Sequence, residues 1–140
     1  MEGRPRILVA AQPAAWSVLQ QHLEGLADLV AVHSLSEALG VLQRDPRGID
    51  LIISSLTFSD HRMLEFLVEV KGNPRTSAIP FLVCRVVVGR LSEEMVERMG
   101  AVARQFDADF VNLPGFPADQ AGARLAAAVL KCLESNQRTA

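Results

Sequence analysis

Five short apolar runs, each followed by a stretch with helical spacing, set the strongest limit on what this chain can fold into. The runs are RILVA at 6–10, LVAVH at 29–33, DLIIS at 50–54, IPFLVCRVVV at 79–88 and DFVNL at 109–113. They are short and rich in branched side chains, so they read as buried strands. Pro80 stands at the first positions of the fourth run, where a missing amide is tolerated. Between the runs, Val18, Leu19, Leu23 and Leu26 recur at helical spacing, with Gln20, Gln21 and Glu24 on the other face. Ser34 precedes Glu37 by three residues at the head of SLSEALGVLQR, the arrangement of a capping box, and Asp45-Pro46-Arg47-Gly48 ends that helix. Met63, Leu64, Phe66, Leu67 and Val70 mark a third helix that stops before Gly72-Asn73-Pro74. Ser92 caps a fourth through Glu93, Met95, Val96, Met99 and Val102. The last helix runs from about Pro117 to Glu134, with Leu125, Val129 and Leu133 on one face.

Strands that alternate with helices imply parallel pairing, because each crossover helix must cover one face of the sheet. Strands apolar on both faces agree with burial from both sides. A length of 140 residues allows one domain with a single compact core. That domain is expected over residues 1–134, followed by a loose tail from Ser135 to Ala140. In such a sheet the natural site lies at the carboxyl ends of the strands. Those ends carry Ala11 and Gln12, Ser54 and Ser55, Arg85, and Leu113.

Composition narrows the function. The formal net charge is −2, so no global basic footprint favours nucleic acid. No apolar run approaches the roughly 18 residues of a membrane span, and MEGRPR lacks the apolar segment of a signal peptide. A soluble, cytoplasmic protein without membrane contact is expected. Cys84 and Cys132 form neither a disulfide framework nor metal-ligand spacing and read as core thiols in a reducing compartment. His22 reads as a helix-surface residue, and His33 and His61 as partly exposed loop or strand-end residues without metal-ligand company.

The succession ILVAAQ, SEAL, DLIISSL, AIPFLVCRV and DADFVNLP resembles the receiver domain of bacterial two-component response regulators, over about residues 5 to 134. The resemblance implies a flavodoxin-like doubly wound sheet with strand order 2-1-3-4-5. Active receivers take a phosphoryl group from a histidine kinase onto an aspartate ending the third strand. Two acids after the first strand help to hold magnesium, a Ser or Thr ends the fourth strand, and a Lys precedes the proline after the fifth. By this resemblance the aspartate position is Ser55, the acid pair is Ala11 and Gln12, the hydroxyl position is Arg85, the lysine is Leu113 and the switch aromatic is Phe110. The scaffold keeps to the pattern while these chemical positions depart from it.

Magnesium takes hard oxygen ligands, normally carboxylates and waters. The usual pocket sets three carboxylates against one ammonium, about two net negative charges; the substituted one carries about +1 from Arg85. A serine hydroxyl without base or metal is a poor nucleophile toward phosphohistidine. The expectation is therefore a non-phosphorylatable receiver-like signalling module, a pseudo-receiver, that binds no magnesium, uses no cofactor and is not an enzyme. It would act by contact with another signalling protein or with itself, as a homodimer. By resemblance the contact face includes Val86 to Arg90, Glu94, Arg98, Arg104 and the outer side of the last helix. Mixed charge there suits pairing across a two-fold axis, and equally suits a solvated helix surface.

Simpler readings stand beside these. Ser55 serves as a small strand-end residue bonded locally, and Arg85 lies over the vacant pocket and pairs with a nearby acid such as Asp60. Asp107 and Asp109 read as solvated, Met95 and Met99 as core or a partner face, and Trp16 as packing. The alternative function is a sensor of an anionic small ligand or nucleotide, in which Arg85, Gln12 and Ser55 form the pocket. Against it, AAQPAAW has no glycine with which to build a phosphate loop.

Overall fold

The apolar runs pair into one sheet because each carries a helix that returns the chain to the sheet's starting edge. The structure, a computed structural model, describes residues 4–86, 91–115 and 117–139, of which 60, 61, 115, 118 and 135–139 are described by their backbone alone. The strands are β1 (Arg6–Ala10), β2 (Asp28–Val32), β3 (Leu51–Ser55), β4 (Phe81–Arg85) and β5 (Asp109–Asn112). The helices are α1 (Pro13–Leu23), α2 (Leu35–Arg44), α3 (Met63–Gly72), α4 (Glu93–Gln105) and α5 (Ala118–Thr139). A single helical turn, Phe58–His61, precedes α3.

The strands are all parallel, in the order 2-1-3-4-5, the flavodoxin-like doubly wound architecture that the sequence leads one to expect. Two apolar layers sandwich the sheet. One holds Leu8, Ile52, Phe81 and Val83 under α2, α3 and α4; the other holds Ile7, Val9, Ile53 and Leu82 under α1 and α5. Alternate residues of each strand feed opposite layers, as the two-residue period of a strand requires.

Burial from both sides holds for β3 and β4 throughout and for β1 after Arg6, but not for β2 and β5. Those two lie at the sheet edges, and their residues are largely half-buried or exposed. The fourth strand is shorter than its apolar run: pairing stops at Arg85, Val86 has left the sheet, and 87–90 lie outside the described residues. Pro80 stands just before β4, yet its carbonyl still accepts the Ile52 amide at 2.9 Å. Leu26 falls beyond the end of α1 and is 42% exposed, so it does not continue that helix's apolar stripe.

The helix starts follow their caps. Ser34 Oγ accepts the Glu37 amide at 3.1 Å, and Glu37 Oε1 accepts the His33 amide at 2.9 Å, which completes the reciprocal cap one residue early. Ser92 Oγ accepts the Met95 amide at 3.1 Å at the head of α4. The far end of α4 closes with the Ala108 amide on the Ala103 carbonyl and the Asp107 amide on Arg104. Asp107 takes φ 66° there, the left-handed position that ends such a helix. The last helix continues past Glu134 to Thr139, further than its apolar pattern requires.

Aromatic packing anchors the α3 side. Phe66 sits between Phe58 and Phe81, with ring centroids at 5.5 and 5.4 Å in tilted and edge-on contact. Phe66→Ala is expected to cost about 3–5 kcal/mol in urea denaturation, through lost burial and the cavity left behind. Val68→Ser, on the exposed side of the same helix, should stay within about 0.5 kcal/mol of the wild type.

Candidate functional site

The register brings the sequence-designated residues to one line at the carboxyl edge of the sheet. Ala10 pairs with Ser54, Ser55 with Cys84, and Arg85 with Asn112, so Ala11, Ser55, Arg85 and Leu113 follow at neighbouring strand ends. Ser55, Arg85, Ala15, Leu56, Thr57, Val86 and Leu91 enclose a hollow of about 20 Å³. That is room for about one water molecule.

The groups around the hollow are mostly engaged with one another. Ala11 is fully buried, its amide donates to Val32 O at 3.1 Å, and its carbonyl accepts from His33 Nδ1 at 2.7 Å. Gln12 Nε2 donates to Thr57 O at 3.3 Å. Ser54 Oγ donates to Ser55 O at 3.1 Å. Ser55 Oγ, buried, has no hydrogen-bond partner among the described residues, and neither does the buried Asn112 Oδ1.

Arg85 is the one charged residue buried among those described, at 5% exposure. A guanidinium so placed requires a counter-charge. Glu93, the first residue of α4, provides it: Arg85 Nη1 lies 3.0 Å from Glu93 Oε2 and donates to Oε1 at 3.2 Å. The expected pairing with an acid is present, but the acid is Glu93; the Asp60 side chain lies outside those described, as does that of His61. Because Glu93 is 74% exposed, the pair is buried at one end and wet at the other. It ties the end of β4 to the first turn of α4, where a carboxylate is also favoured by the helix dipole.

Leu113 and Phe110 belong to the packing. Leu113 is buried in the α1/α5 layer with Val9, Ile53 and Leu125. Phe110 is half-buried against α4, so close that a β-carbon at Gly100 would fall 2.9 Å from its ring, and the Arg104 guanidinium lies 5.7 Å from the ring centroid. On the candidate contact face, Arg98 Nη2 bonds Glu94 Oε1 at 2.8 Å within α4, so these two charges satisfy each other on one helix turn. Arg90 lies outside the described residues. Met95 is exposed while Met99 packs on the core.

Other polar residues settle differently from the sequence reading. His22 is half-buried against Gly122 of α5, where a β-carbon would fall 2.8 Å from its Nδ1, and is no plain surface residue. Asp109, at the opposite end of the sheet, accepts the Cys132 thiol at 3.2 Å and is not merely solvated. Sequence reasoning placed Glu93 on the fourth helix but not at the strand-end site, and did not single out Thr57 or Asn112. Of these two, only Asn112 left a trace there, as a polar residue closing an apolar run.

No protein-family model matches the sequence, and no curated protein matches it. Among solved structures, the chain is similar to a response regulator receiver domain protein from Clostridium thermocellum, with TM-score 0.77 and 14% identity over 97% of this chain and 99% of that one. A response regulator receiver domain protein from Methanospirillum hungatei JF-1 gives TM-score 0.73 and 15% identity over 99% of this chain and 100% of that one. The signal receiver domain of a signal transduction histidine kinase from Syntrophus aciditrophicus gives TM-score 0.70 and 22% identity, covering 94% and 91%. At such identities the likeness is one of fold. Among the described residues, no helix is long and apolar enough to cross a membrane.

Two measurements follow from the site's energetics. Glu93→Ala should destabilise the protein by about 1–3 kcal/mol, because it strands a buried guanidinium, and adding Arg85→Met should recover most of that loss. Burial pushes both Cys84 and Cys132 up to about 12, helped at Cys132 by its bond to Asp109 and that carboxylate's charge. An ordinary thiol ionises at 9.0, so the folded state binds more protons than the unfolded one between these values. The thiol contribution to stability is therefore full below pH 9 and lost as pH rises toward 12; Cys84→Ala should flatten that decline in urea titrations across this range.

Proposed function

We propose that this chain is a receiver-fold signalling module that forms no aspartyl phosphate and works through protein contact. The observation that carries the reading is the buried Arg85, which lines the same hollow as Ser55 and is paired with Glu93 at the exposed start of α4. At the strand ends where phosphoryl chemistry would be placed by the resemblance, Ser55, Ala11 and Gln12 stand in for carboxylates and a fixed cation, Arg85, stands in for a hydroxyl.

The donor set does not fit magnesium. A hard divalent cation needs several oxygen ligands in near-octahedral array, with carboxylates among them. Ala11 has only its backbone carbonyl, already held by His33, and Gln12 has its amide nitrogen on Thr57. Ser55 contributes a neutral hydroxyl, and the nearby guanidinium raises the potential in a space of about 20 Å³. No step of the proposed function therefore runs through a metal.

In this reading the Arg85–Glu93 pair takes over a mechanical task. It holds the β4 end against α4 without a phosphoryl group, so the α4–β5–α5 surface keeps one arrangement. Exposed Glu94 and Arg98, with Arg104 over Phe110, would meet the partner, either another signalling protein in the cytoplasm or a second copy of the chain. The rival reading, an anionic ligand at Arg85, has less support: the guanidinium is engaged by Glu93 and the hollow holds about one water.

The test is exposure to a small phosphodonor such as acetyl phosphate, with magnesium present, followed by intact-mass spectrometry. The expected result is an unchanged mass and an unchanged amide spectrum on addition of beryllium fluoride. A stable magnesium-dependent phosphoprotein would overturn the reading.

A further inference from the structure

The amino-terminal end of the sheet, far from the hollow at Ser55, carries a groove of about 630 Å³ walled by Arg44, Asp45, Pro46, Arg47, Pro74 and Arg75. Three arginines and one aspartate line it, in a chain whose net charge is −2. The carboxylate is already committed: Asp45 Oδ2 lies 3.5 Å from Arg6 Nη1, and the side chain folds over Gly48, where any β-carbon would collide with it. Among the described residues, the side chains of Arg44, Arg47 and Arg75 have no hydrogen-bond or ion-pair partner.

A bland account covers only part of this cluster. Arg44 ends α2, where a cation complements the helix dipole. Arg47 and Arg75 are outside the long helices, so that account does not reach them. Both stand on pinned turns. Arg47 sits in the 3-10 turn Pro46–Gly48 that a proline opens. The Arg75 amide donates to Asn73 Oδ1 at 2.9 Å, and the adjoining Thr76, buried, donates its hydroxyl to Val70 O at 2.7 Å. The carboxyl ends of α2 and α3 oppose the cations by about half a charge each, which leaves about two positive charges once Asp45 and Arg6 cancel.

We propose that this groove binds the phosphate chain of a small polyphosphorylated ligand. Guanidinium forks match phosphate oxygens, and three arginines lining one groove favour a ligand with several linked phosphates over a single monoanion. The volume falls within the roughly 300–1,000 Å³ of small-ligand sites. Nothing in the proposal depends on Arg85 or on the contact face, so it stands or falls apart from the signalling reading.

The test is isothermal titration of the whole chain in magnesium-free, low-salt buffer with three probes: inorganic tripolyphosphate, adenosine triphosphate and adenosine. Both triphosphates should bind saturably and adenosine should not. A much tighter nucleotide than tripolyphosphate points to a nucleotide ligand, and equal binding points to the inorganic chain; both support the groove. Arg47→Glu with Arg75→Glu should weaken binding about tenfold or more, whereas Arg98→Glu on α4 should leave it unchanged. Arg47→Gln with Arg75→Gln gives a milder loss should the reversed pair fail to fold, as read by circular dichroism. Absence of saturable binding, or binding equal in the wild type and the arginine variants, overturns the proposal. Capture of an acidic peptide by these arginines without triphosphate binding would likewise overturn it and make the groove a protein contact.

Discussion

The structure depends on covering a parallel sheet from both sides. Its three central strands, β1, β3 and β4, have almost no exposed surface, so every side chain on them must suit an apolar layer or find a partner. Branched aliphatic residues meet that condition along most of their length, and apart from exposed Arg6 at the start of β1 the few polar residues are confined to the carboxyl ends. Ser54, Ser55 and Arg85 are buried there because the strands run into the hollow before reaching solvent. The same constraint that makes the fold thus collects the polar groups in one place.

Arg85 is the costliest of these groups to bury, and its environment is arranged around it. A lone guanidinium in an apolar strand would be strongly unfavourable, and Glu93 supplies both charge and a hydrogen bond from the exposed start of α4. The ion pair spans the segment 86–92 and so sets where α4 begins relative to the sheet. Gly100 then lets α4 approach Phe110 closely, and Arg104 covers the ring from the next turn. Strand end, helix start and aromatic packing therefore form one connected set of contacts from the hollow to the α4–β5 surface.

Much of this was legible from local pattern. Ser34 and Ser92 announce their helices because a cap needs only residues two or three positions away. The strand runs are legible because burial on both faces leaves no polar alternation in β3 and β4. Edges were harder: β2, DLVAV, is as apolar in sequence as β1 or β4, and only the strand order exposes it. Leu26 continues the α1 spacing, yet the chain leaves the helix at Leu23 and turns to deliver Asp28 to Pro5 O. Periodicity does not register the turn in which the Leu26 and Ala27 amides both donate to Leu23 O and close the helix.

The sequence by itself determined the alternating strands and helices and the identity of the strand-end residues, since both depend on side-chain type and on neighbours within one or two turns. Only the tertiary structure decided that Glu93 meets Arg85, that the hollow closes to about the size of one water, and that Arg44, Arg47 and Arg75 share a groove. Each of these depends on distances set by how crossover helices stack on the sheet. Such distances arise from the packing of two apolar layers as wholes, and no short stretch of sequence encodes them.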